Sequence, residues 1–420
     1  MPPEAHSMVL YKLFLYCYPK IAKLLGLFNP KAKQWCIGQD QVWQEIKDKK
    51  HLIHGPVIWI HAASYGEFEQ GLPIIQALKK QYPTHQVWLS FFSPSGYLHR
   101  KNDPLVDVVT YLPFDGPENA KVFLEIVNPS LIVFVKYEFW YYYLAEANLK
   151  NIPTILASAI FRPNQIFFKW YGGFYKKMLD LFSKVLVQDK ASLQLVSTFI
   201  EPHKIAITGD TRFDRVVETA GATTSINWMQ LLSKDHHIVA GSTWEEDEII
   251  LSKTAAHFTN LNWIIVPHHV DSKNIAACKL RFPNSITLSQ FLLNNTVQTK
   301  PLVLIVDKIG LLRTLYQYAF ISYVGGGFGK DGVHNVLEPA AFGKPVIWGH
   351  NDQKYQEAIG LRKQAGGFSI HNESDLVMHI NEFMQNTSLY QQTCQQAKTY
   401  IQENAGATIK TMSTIEPYLD

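Results

Sequence analysis

The stretch IWIHAASYGE, residues 58–67, places a carboxylate directly after an apolar run. The apolar residues predict a buried strand, and the small residues around Ser64 leave space beside the backbone where that strand ends. Ser64 and Glu67 fit the S-x-x-E capping box, in which each side chain bonds the other residue's backbone N–H. In a second interpretation, the helix dipole favours an ionised Glu67, which can accept a proton from a hydroxyl nucleophile. The residues alone leave both roles open.

The second half of the sequence repeats this arrangement. In IVAGSTWEEDE, the apolar run ends at Gly241 and is followed by Ser242, Thr243 and an acidic first turn of a helix. Small residues next to free helix N–H groups can bind an anion, although the acids in that turn argue partly against a bare phosphate. Helix capping is the alternative role.

A glycine-rich stretch, YVGGGFGKDGVHNVLEPAAFGKPVIWG, is the most distinctive part of the sequence. Gly327, Gly329 and Gly332 satisfy GxGxxG, and Asp352 follows about 20 residues later, so a nicotinamide-dependent oxidoreductase has to be considered. A dinucleotide-binding fingerprint needs a full helix after the glycines. Because Gly343 and Pro345 cut this helix short, we interpret the GxGxxG as coincidence.

The same stretch carries His334, Asn335 and Glu338. Asn335 could cap the short helix and Glu338 could complete a capping box, which would be structural roles. Glu338 could equally accept hydrogen bonds from a ribose while the glycines before it hold a phosphate.

Metal and serine-nucleophile sites receive little support. His268, His269 and Asp271 lie close together, but no HExxH or third-ligand spacing accompanies them. GxSxG is absent from the sequence. We therefore predict no metal and no cofactor.

Short β-branched and aromatic runs that alternate with helix-length segments must position these residues. In the first half they are VIWIHA, VWLSFF, VVTYL, LIVFV, TILASA and KVLVQ, and in the second half IAITG, HIVAGS, WIIVP, LVLIV, FISYV and PVIWG. Runs that are apolar on both faces predict parallel sheets covered by helices. We predict an α/β fold of two Rossmann-like, doubly wound domains, residues 35–205 and 206–387, that face each other across a cleft. Residues 388–420 are predicted as a helical segment that crosses back onto the first domain.

Composition restricts the class of protein. Of the 420 residues, 47% are hydrophobic and 18% charged, which is typical of a folded globular chain, and two domains suit this length. A formal net charge of +3 gives no reason to predict a nucleic-acid partner.

The N-terminal segment, residues 1–34, is apolar and aromatic but is interrupted by lysines and by Pro19. A helix that spans a membrane needs about 20 mostly apolar residues. The composition favours a segment that lies on a membrane surface, with its lysines at anionic headgroups. A core helix that covers the first domain is the alternative.

Five motifs, in order, resemble those of the 3-deoxy-D-manno-octulosonic acid (Kdo) transferases of lipopolysaccharide synthesis. They are WIHAASYGE, KYEFW, TGDTRFD, AGSTWEEDE and DGVHNVLEPAAFGKPV. The resemblance extends from about Trp35 to beyond Gly349. It implies a GT-B glycosyltransferase that moves Kdo from CMP-Kdo to the glucosamine disaccharide of a lipid A precursor (lipid IVA).

The resemblance also implies roles for individual residues. Glu67 would be the general base, and Glu138 and Arg212 would stabilise the transition state. The CMP-binding residues would be Ser242, Thr243, His268, His269, Ile309, Gly310, Leu311, Gly326, His334, Asn335, Val336, Leu337 and Glu338. The implied partners are CMP-Kdo, an anionic glycolipid and the cytoplasmic face of the inner membrane, where the protein would be peripheral or anchored through its N-terminal segment. Another GT-B enzyme that uses a UDP-sugar is the alternative.

Three departures from the family pattern bear on these roles. His268 stands where the family has an arginine near the CMP phosphate, and a histidine is mostly neutral at pH 7. Arg162 does not align with the family arginine of its segment. Leu311 replaces an acid.

Overall fold

Each half of the chain builds a parallel sheet from strands whose two faces are both covered. The computed structural model describes residues 3–222, 225–232, 236–294, 303–330 and 332–419. Unit 1 comprises residues 1–215 and 405–420, and unit 2 comprises residues 216–404.

Among the described residues of unit 1, seven strands form a parallel sheet in the order β3-β2-β1-β4-β5-β6-β7. They are β1 (Val57–Ala62), β2 (Gln86–Phe91), β3 (Val108–Tyr111), β4 (Pro129–Val135), β5 (Thr154–Ala159), β6 (Lys184–Val187) and β7 (Ile205–Ile207). The helices around them are α1 (Pro3–Leu25), α2 (Pro30–Lys49), α3 (Tyr65–Gln81), α4 (Pro94–Arg100), α5 (Pro117–Val127), α6 (Tyr141–Leu149), α7 (Gly173–Asp180), α8 (Lys190–Val196) and α9 (Thr211–Gly221).

Side chains of β1 alternate between the two faces of this sheet, as the pleat requires. Trp59 faces a core shared with Phe123 of α5 and Tyr143 of α6. Ile58 and Ile60 face the opposite core. Because both faces are buried, the strand reads as a continuous apolar run.

Unit 2 contains a second parallel sheet, whose order within the described residues is β10-β11-β9-β8-β12-β13-β14. Its strands are β8 (His237–Thr243), β9 (Asn262–Pro267), β10 (Ser285–Thr287), β11 (Val303–Ile305), β12 (Ile321–Val324), β13 (Val346–Gly349) and β14 (Gly367–Ile370). Its helices are α10 (Glu245–His257), α11 (Ser272–Arg281), α12 (Leu288–Asn294), α13 (Leu312–Leu315), α14 (Leu337–Ala341), α15 (Gln356–Lys363), α16 (Glu373–Gln385) and α17 (Thr387–Asn404). The predicted pair of doubly wound parallel sheets is confirmed.

After α17 the chain returns to unit 1 and forms α18 (Ala407–Ile415). Met412, Ile415 and Leu419 are buried in the core that contains Ile58 and Ile60. Each such side chain contributes roughly 2 kcal/mol by leaving water. The returning segment is therefore an integral part of unit 1.

Three strands differ from the sequence-based assignment. IAITG was placed with the second half, but β7 pairs with β6 of the first sheet, with Val185 opposite Ile205. The assignment was wrong because a short run does not reveal which sheet supplies its hydrogen-bonding partner. The strands β10 and β14 were not predicted, since each is only three or four residues long and partly polar.

The helix α1 packs one side on unit 1 and exposes the other. Tyr11 and Ala22 are buried, whereas Leu10, Leu13 and Leu24 are each more than half exposed. No described helix is both long enough and apolar enough to cross a bilayer.

Candidate active site

Charged residues follow four strands of unit 1. Glu67 lies in the first turn of α3 after β1, Glu138 follows β4, and Arg162 follows β5. Arg212 is the second residue of α9, which follows β7. Because the strands are parallel, their carboxyl ends meet at one edge of the sheet.

Tyr137 lies within electrostatic range of three of these four residues, Glu67, Arg162 and Arg212. Burial is the main cause that raises its pKa, and the charges of Glu67 and Asp210 raise it further. The guanidinium groups of Arg162 and Arg212 act in the opposite direction. The proposed base and the proposed transition-state arginine therefore both act electrostatically on Tyr137.

Ser64 does not form the capping box that its spacing suggested. It is the N-cap residue of α3, but its side chain caps no backbone N–H. Instead, its hydroxyl donates a hydrogen bond to Oε2 of Glu67. The carboxylate is thus held at the strand end by a side chain, in a half-buried position.

Glu138 is linked to a buried histidine. Its Oε2 lies 3.2 Å from Nε2 of His61, whose side chain is fully buried in β1. The other ring nitrogen of His61, Nδ1, lies 2.8 Å from Oγ of Ser90. The Ser90 hydroxyl also accepts a hydrogen bond of 2.8 Å from the indole N–H of Trp59.

Arg212 is oriented by its neighbour Asp210. Its Nε and Nη2 donate to Oδ2 of Asp210 at 2.9 and 2.7 Å, and its backbone N–H donates to Oδ1 at 2.9 Å. Asp210 is only 8% exposed, so its carboxylate holds the guanidinium of Arg212 from the buried side. This arrangement holds a positive charge at the strand edge.

At the end of β8 in unit 2, Ser242 adopts a positive φ of 53°. Thr243 is buried, and its hydroxyl donates to Oε1 of Glu248 at 3.2 Å. Only Ser242 of this pair is therefore half accessible to a ligand.

The turn at Gly325–Gly327 is organised by Asp247, which the sequence had marked only as one acid of a helical turn. Its carboxylate accepts from the backbone N–H of Gly326 at 2.9 Å and from the hydroxyl of Tyr323 at 2.7 Å. Burial raises the pKa of Asp247, while these hydrogen bonds oppose the rise. A side chain on Gly325 would collide with the backbone of Ser242. The two backbone segments lie so close together that this position requires glycine.

Three aromatic rings stack beside this turn. His268 stacks on Trp244 with 4.6 Å between ring centroids and on His334 with 4.7 Å. The indole N–H of Trp244 donates to Nε2 of His334 at 2.8 Å. His269 meets Trp244 edge-on at 5.2 Å.

Glu338 of α14 is paired with an arginine that the sequence analysis did not single out. Its Oε1 accepts from Nε of Arg313 at 2.9 Å and from Nδ2 of Asn335 at 3.3 Å. Asn335 also accepts from the N–H of Leu337 at 3.1 Å. Both ends of the Asn335 amide therefore have partners within the chain.

The remaining residues predicted to bind CMP differ in their solvent exposure. Val336 and Leu337 are fully buried, with their backbone groups included. The turn Ile309–Leu311 is open, with Ile309 86% exposed and Gly310 at a φ of 89°. α14 has only five residues, which agrees with the rejection of GxGxxG as a dinucleotide fingerprint.

Relatives with curated names place the chain in a family. The family profile described as "3-Deoxy-D-manno-octulosonic-acid transferase (kdotransferase)" matches residues 38–215. A 3-deoxy-D-manno-octulosonic acid transferase of Aquifex aeolicus is 30% identical over 336 residues, 78% of this chain and 86% of the relative. The chain belongs to the Kdo transferase family. A Kdo transferase of Haemophilus influenzae is 27% identical over 428 residues, 97% of each chain.

This Kdo transferase is accordingly a glycosyltransferase, and solved structures agree with its predicted GT-B fold. A UDP-N-acetylglucosamine 2-epimerase of Neisseria meningitidis has a TM-score of 0.60 at 16% identity and covers 86% of this chain and 100% of its own. A putative enzyme of the same name from Listeria monocytogenes has a TM-score of 0.62 at 12% identity, with 87% and 97% covered. At these identities the similarity shows the fold alone.

Proposed function

We propose that this Kdo transferase moves Kdo, with inversion, from CMP-Kdo to a hydroxyl of the glucosamine disaccharide of a lipid A precursor, lipid IVA. Glu67 is the general base. The observation that carries the proposal is the position of Glu67, which Ser64 holds at the same sheet edge as Glu138 and Arg212. The curated names of the relatives support the transferred sugar.

In the proposed reaction, the carboxylate of Glu67 takes the proton of the acceptor hydroxyl. The acceptor oxygen forms a bond to the anomeric carbon of Kdo while the bond from that carbon to the phosphate oxygen breaks, and CMP leaves. Arg212, held by Asp210, supplies positive charge next to the groups that carry developing negative charge. Glu138 stabilises the positive charge that develops on the sugar ring.

Unit 2 is proposed to hold the CMP moiety. Glu338 accepts hydrogen bonds from the ribose, and the turn around Gly326 approaches the phosphate closely because it carries no side chain. The ring stack of Trp244, His268 and His334 takes the place of the arginine that the family pattern has at His268. We propose that this stack contacts the nucleotide from one side.

The first test replaces Glu67 with Gln and measures transfer from CMP-Kdo to lipid IVA by mass spectrometry of the product. Loss of a general base lowers kcat by about 10²- to 10⁴-fold. Glu118→Gln is the matched control, because it removes an exposed first-turn carboxylate from α5 of the same unit. Wild-type turnover in Glu67→Gln would remove the proposed role of Glu67. Binding of UDP without binding of CMP, measured by calorimetry, would favour a UDP-sugar enzyme.

We also propose that α1 attaches the protein to the cytoplasmic face of the inner membrane. Exposed apolar side chains three, four or seven residues apart lie on one side of the helix: Leu10, Leu13, Phe14, Ile21, Leu24 and Leu25, followed by Phe28. The surrounding lysines are exposed: Lys12, Lys20, Lys23, Lys31 and Lys33. An apolar stripe with a basic border favours an anionic lipid surface.

The loop after β5 extends this surface. Trp170 is 86% exposed, and the backbone oxygen of Tyr171 accepts a hydrogen bond of 2.7 Å from Ser7 of α1. Leu24→Asp is expected to reduce binding to anionic phospholipid vesicles, since it places a charge in the apolar stripe. The control is Ile409→Asp, which alters an apolar side chain of α18 that is 76% exposed, compared with 64% for Leu24. Equal binding of both variants would contradict the membrane proposal.

A further inference from the structure

A buried chain of hydrogen bonds runs below the carboxyl edge of the unit 1 sheet and ends at Glu138. It passes from the indole N–H of Trp59 to Ser90, then to His61, then to the carboxylate. Trp59, His61 and Ser90 are fully buried. The proposed mechanism uses only the last member of this chain.

The sheet itself fixes the geometry of the chain. His61 of β1 lies directly opposite Ser90 of β2 in the parallel register. Trp59 precedes His61 by two residues, so the pleat places both side chains on the same face. The imidazole therefore has little freedom to turn.

The hydrogen-bond partners assign the tautomer of His61. The indole N–H of Trp59 can only donate, so Oγ of Ser90 accepts from it. Among the described residues, Nδ1 of His61 is the remaining side-chain partner of the Ser90 hydroxyl, and a buried O–H left without an acceptor costs about 1–3 kcal/mol. The hydroxyl thus donates to Nδ1, and the ring proton lies on Nε2, where it donates to Glu138.

Trp140 competes for the same nitrogen. Its indole N–H lies 3.3 Å from Nε2 of His61 and would need a lone pair there. The opposite tautomer would satisfy Trp140, but it would orphan the Ser90 hydroxyl and bring an unprotonated nitrogen against a carboxylate. A hydrogen bond to an ionised carboxylate is roughly twice as strong as a hydrogen bond between neutral groups. The hydrogen bond to Glu138 therefore outweighs the one from Trp140, and the proton lies on Nε2.

We propose that His61 is a positioning residue for transfer: its Nε2–H holds the Glu138 carboxylate in the orientation that the reaction requires. Ser90 and Trp59 act one step further away, because they keep the proton on Nε2. The inference rests on the proposed function, in which Glu138 stabilises the transition state.

Replacing His61 with Gln or with Asn distinguishes a role in positioning Glu138 from a role in packing alone. The side chain of Gln can place an amide N–H near the position of Nε2, whereas that of Asn reaches only the position of Nδ1. Both variants put a neutral amide in the same buried place, so each controls for the other. We expect His61→Asn to lower kcat by up to about 100-fold with little change in either KM, and His61→Gln to keep most of the kcat.

Wild-type kcat in His61→Asn would overturn the inference, and so would an equal loss in both variants that fold. Should neither variant fold, Ser90→Ala provides the activity test, because it removes one oxygen from the chain. A lowered kcat at unchanged KM is expected for it, and a wild-type kcat would overturn the inference.

The tautomer can be measured without turnover. In protein labelled with ¹⁵N-histidine, the His61 signals are identified by their loss in a His61 variant. We expect Nδ1 to resonate as an unprotonated nitrogen and Nε2 as a protonated one, and the reverse result would overturn the inference.

These outcomes are distinguishable from failure of the proposed function. If the wild-type protein does not transfer Kdo from CMP-Kdo, the proposed function fails while the measured tautomer stands. If the wild-type protein is active and Glu138→Gln keeps its kcat, the inference fails and the role of Glu67 is unaffected.

Discussion

Asp115 makes unit 1 sensitive to pH in a direction opposite to that of most carboxylates. It is 5% exposed and accepts hydrogen bonds from the hydroxyl of Tyr11 at 2.5 Å and from the N–H groups of Tyr142 and Tyr143 at 3.2 and 3.3 Å. Burial nevertheless raises its pKa from 3.8 to about 6. The folded protein therefore holds this proton at pH values where the unfolded chain has released it.

The sign and size of the effect follow from that shift. Stability from Asp115 is fully present below pH 3.8 and is lost as the pH rises through about 6. Each pKa unit corresponds to about 1.4 kcal/mol, so the full loss is about 3 kcal/mol, of which about 2 kcal/mol falls between pH 4.5 and 7.5.

Urea unfolding of the wild type and of Asp115→Asn, measured at pH 4.5 and pH 7.5, tests this reasoning. The substitution removes the titrating group, so the free energy of unfolding of the variant should improve relative to the wild type by about 2 kcal/mol at the higher pH. Asp48→Asn, which removes an exposed carboxylate from α2, should show no such change. A difference between Asp115→Asn and wild type that is equal at both pH values, or that has the opposite sign, would refute the argument.

Three further outcomes are expected. Gly325→Ala forces a side chain against the backbone at the end of β8, so it should destabilise unit 2 by about 1–3 kcal/mol and lower its melting temperature. Gly221→Ala, with open space around the glycine, should leave the melting temperature unchanged. Arg313→Met removes the guanidinium that donates to the Glu338 carboxylate and should weaken CMP binding roughly tenfold in calorimetry. Lys308→Met, in the exposed turn nearby, should have only a small effect. Deletion of residues 405–420 should abolish the cooperative thermal transition of unit 1 and leave that of unit 2; two unchanged transitions would contradict the role given to α18.

The central strands were predictable because burial on both faces leaves a direct pattern in the sequence. VIWIHA and LIVFV became β1 and β4 at their expected places. The strands β10 and β14 were not predictable, since each is short and partly polar. The place of β7 in the first sheet was not predictable either, because the path of the chain decides which strand it pairs with. A pattern of residue types contains no information about which strand lies beside which.

The residues of the candidate site were likewise only partly predictable from the sequence. Strand ends pointed to Glu67 and Ser242, and resemblance to a family pointed to Glu138 and Arg212. His61 was hidden inside an apolar run, where it is indistinguishable from a core residue until the register with β2 places Ser90 opposite it. Arg313 was missed because its carboxylate partner lies 25 residues further along the chain.

The return of the chain to its first unit has a consequence for biosynthesis. A ribosome releases residues in order, so the sheet of unit 1 emerges long before Met412, Ile415 and Leu419, which close one of its faces. Domains generally fold as they emerge, amino-terminal first. Here unit 1 cannot complete its fold until unit 2 has been translated, because residues 405–420 follow unit 2 in the chain. During that interval its uncovered apolar face is a surface that chaperones, or other nascent chains, can reach.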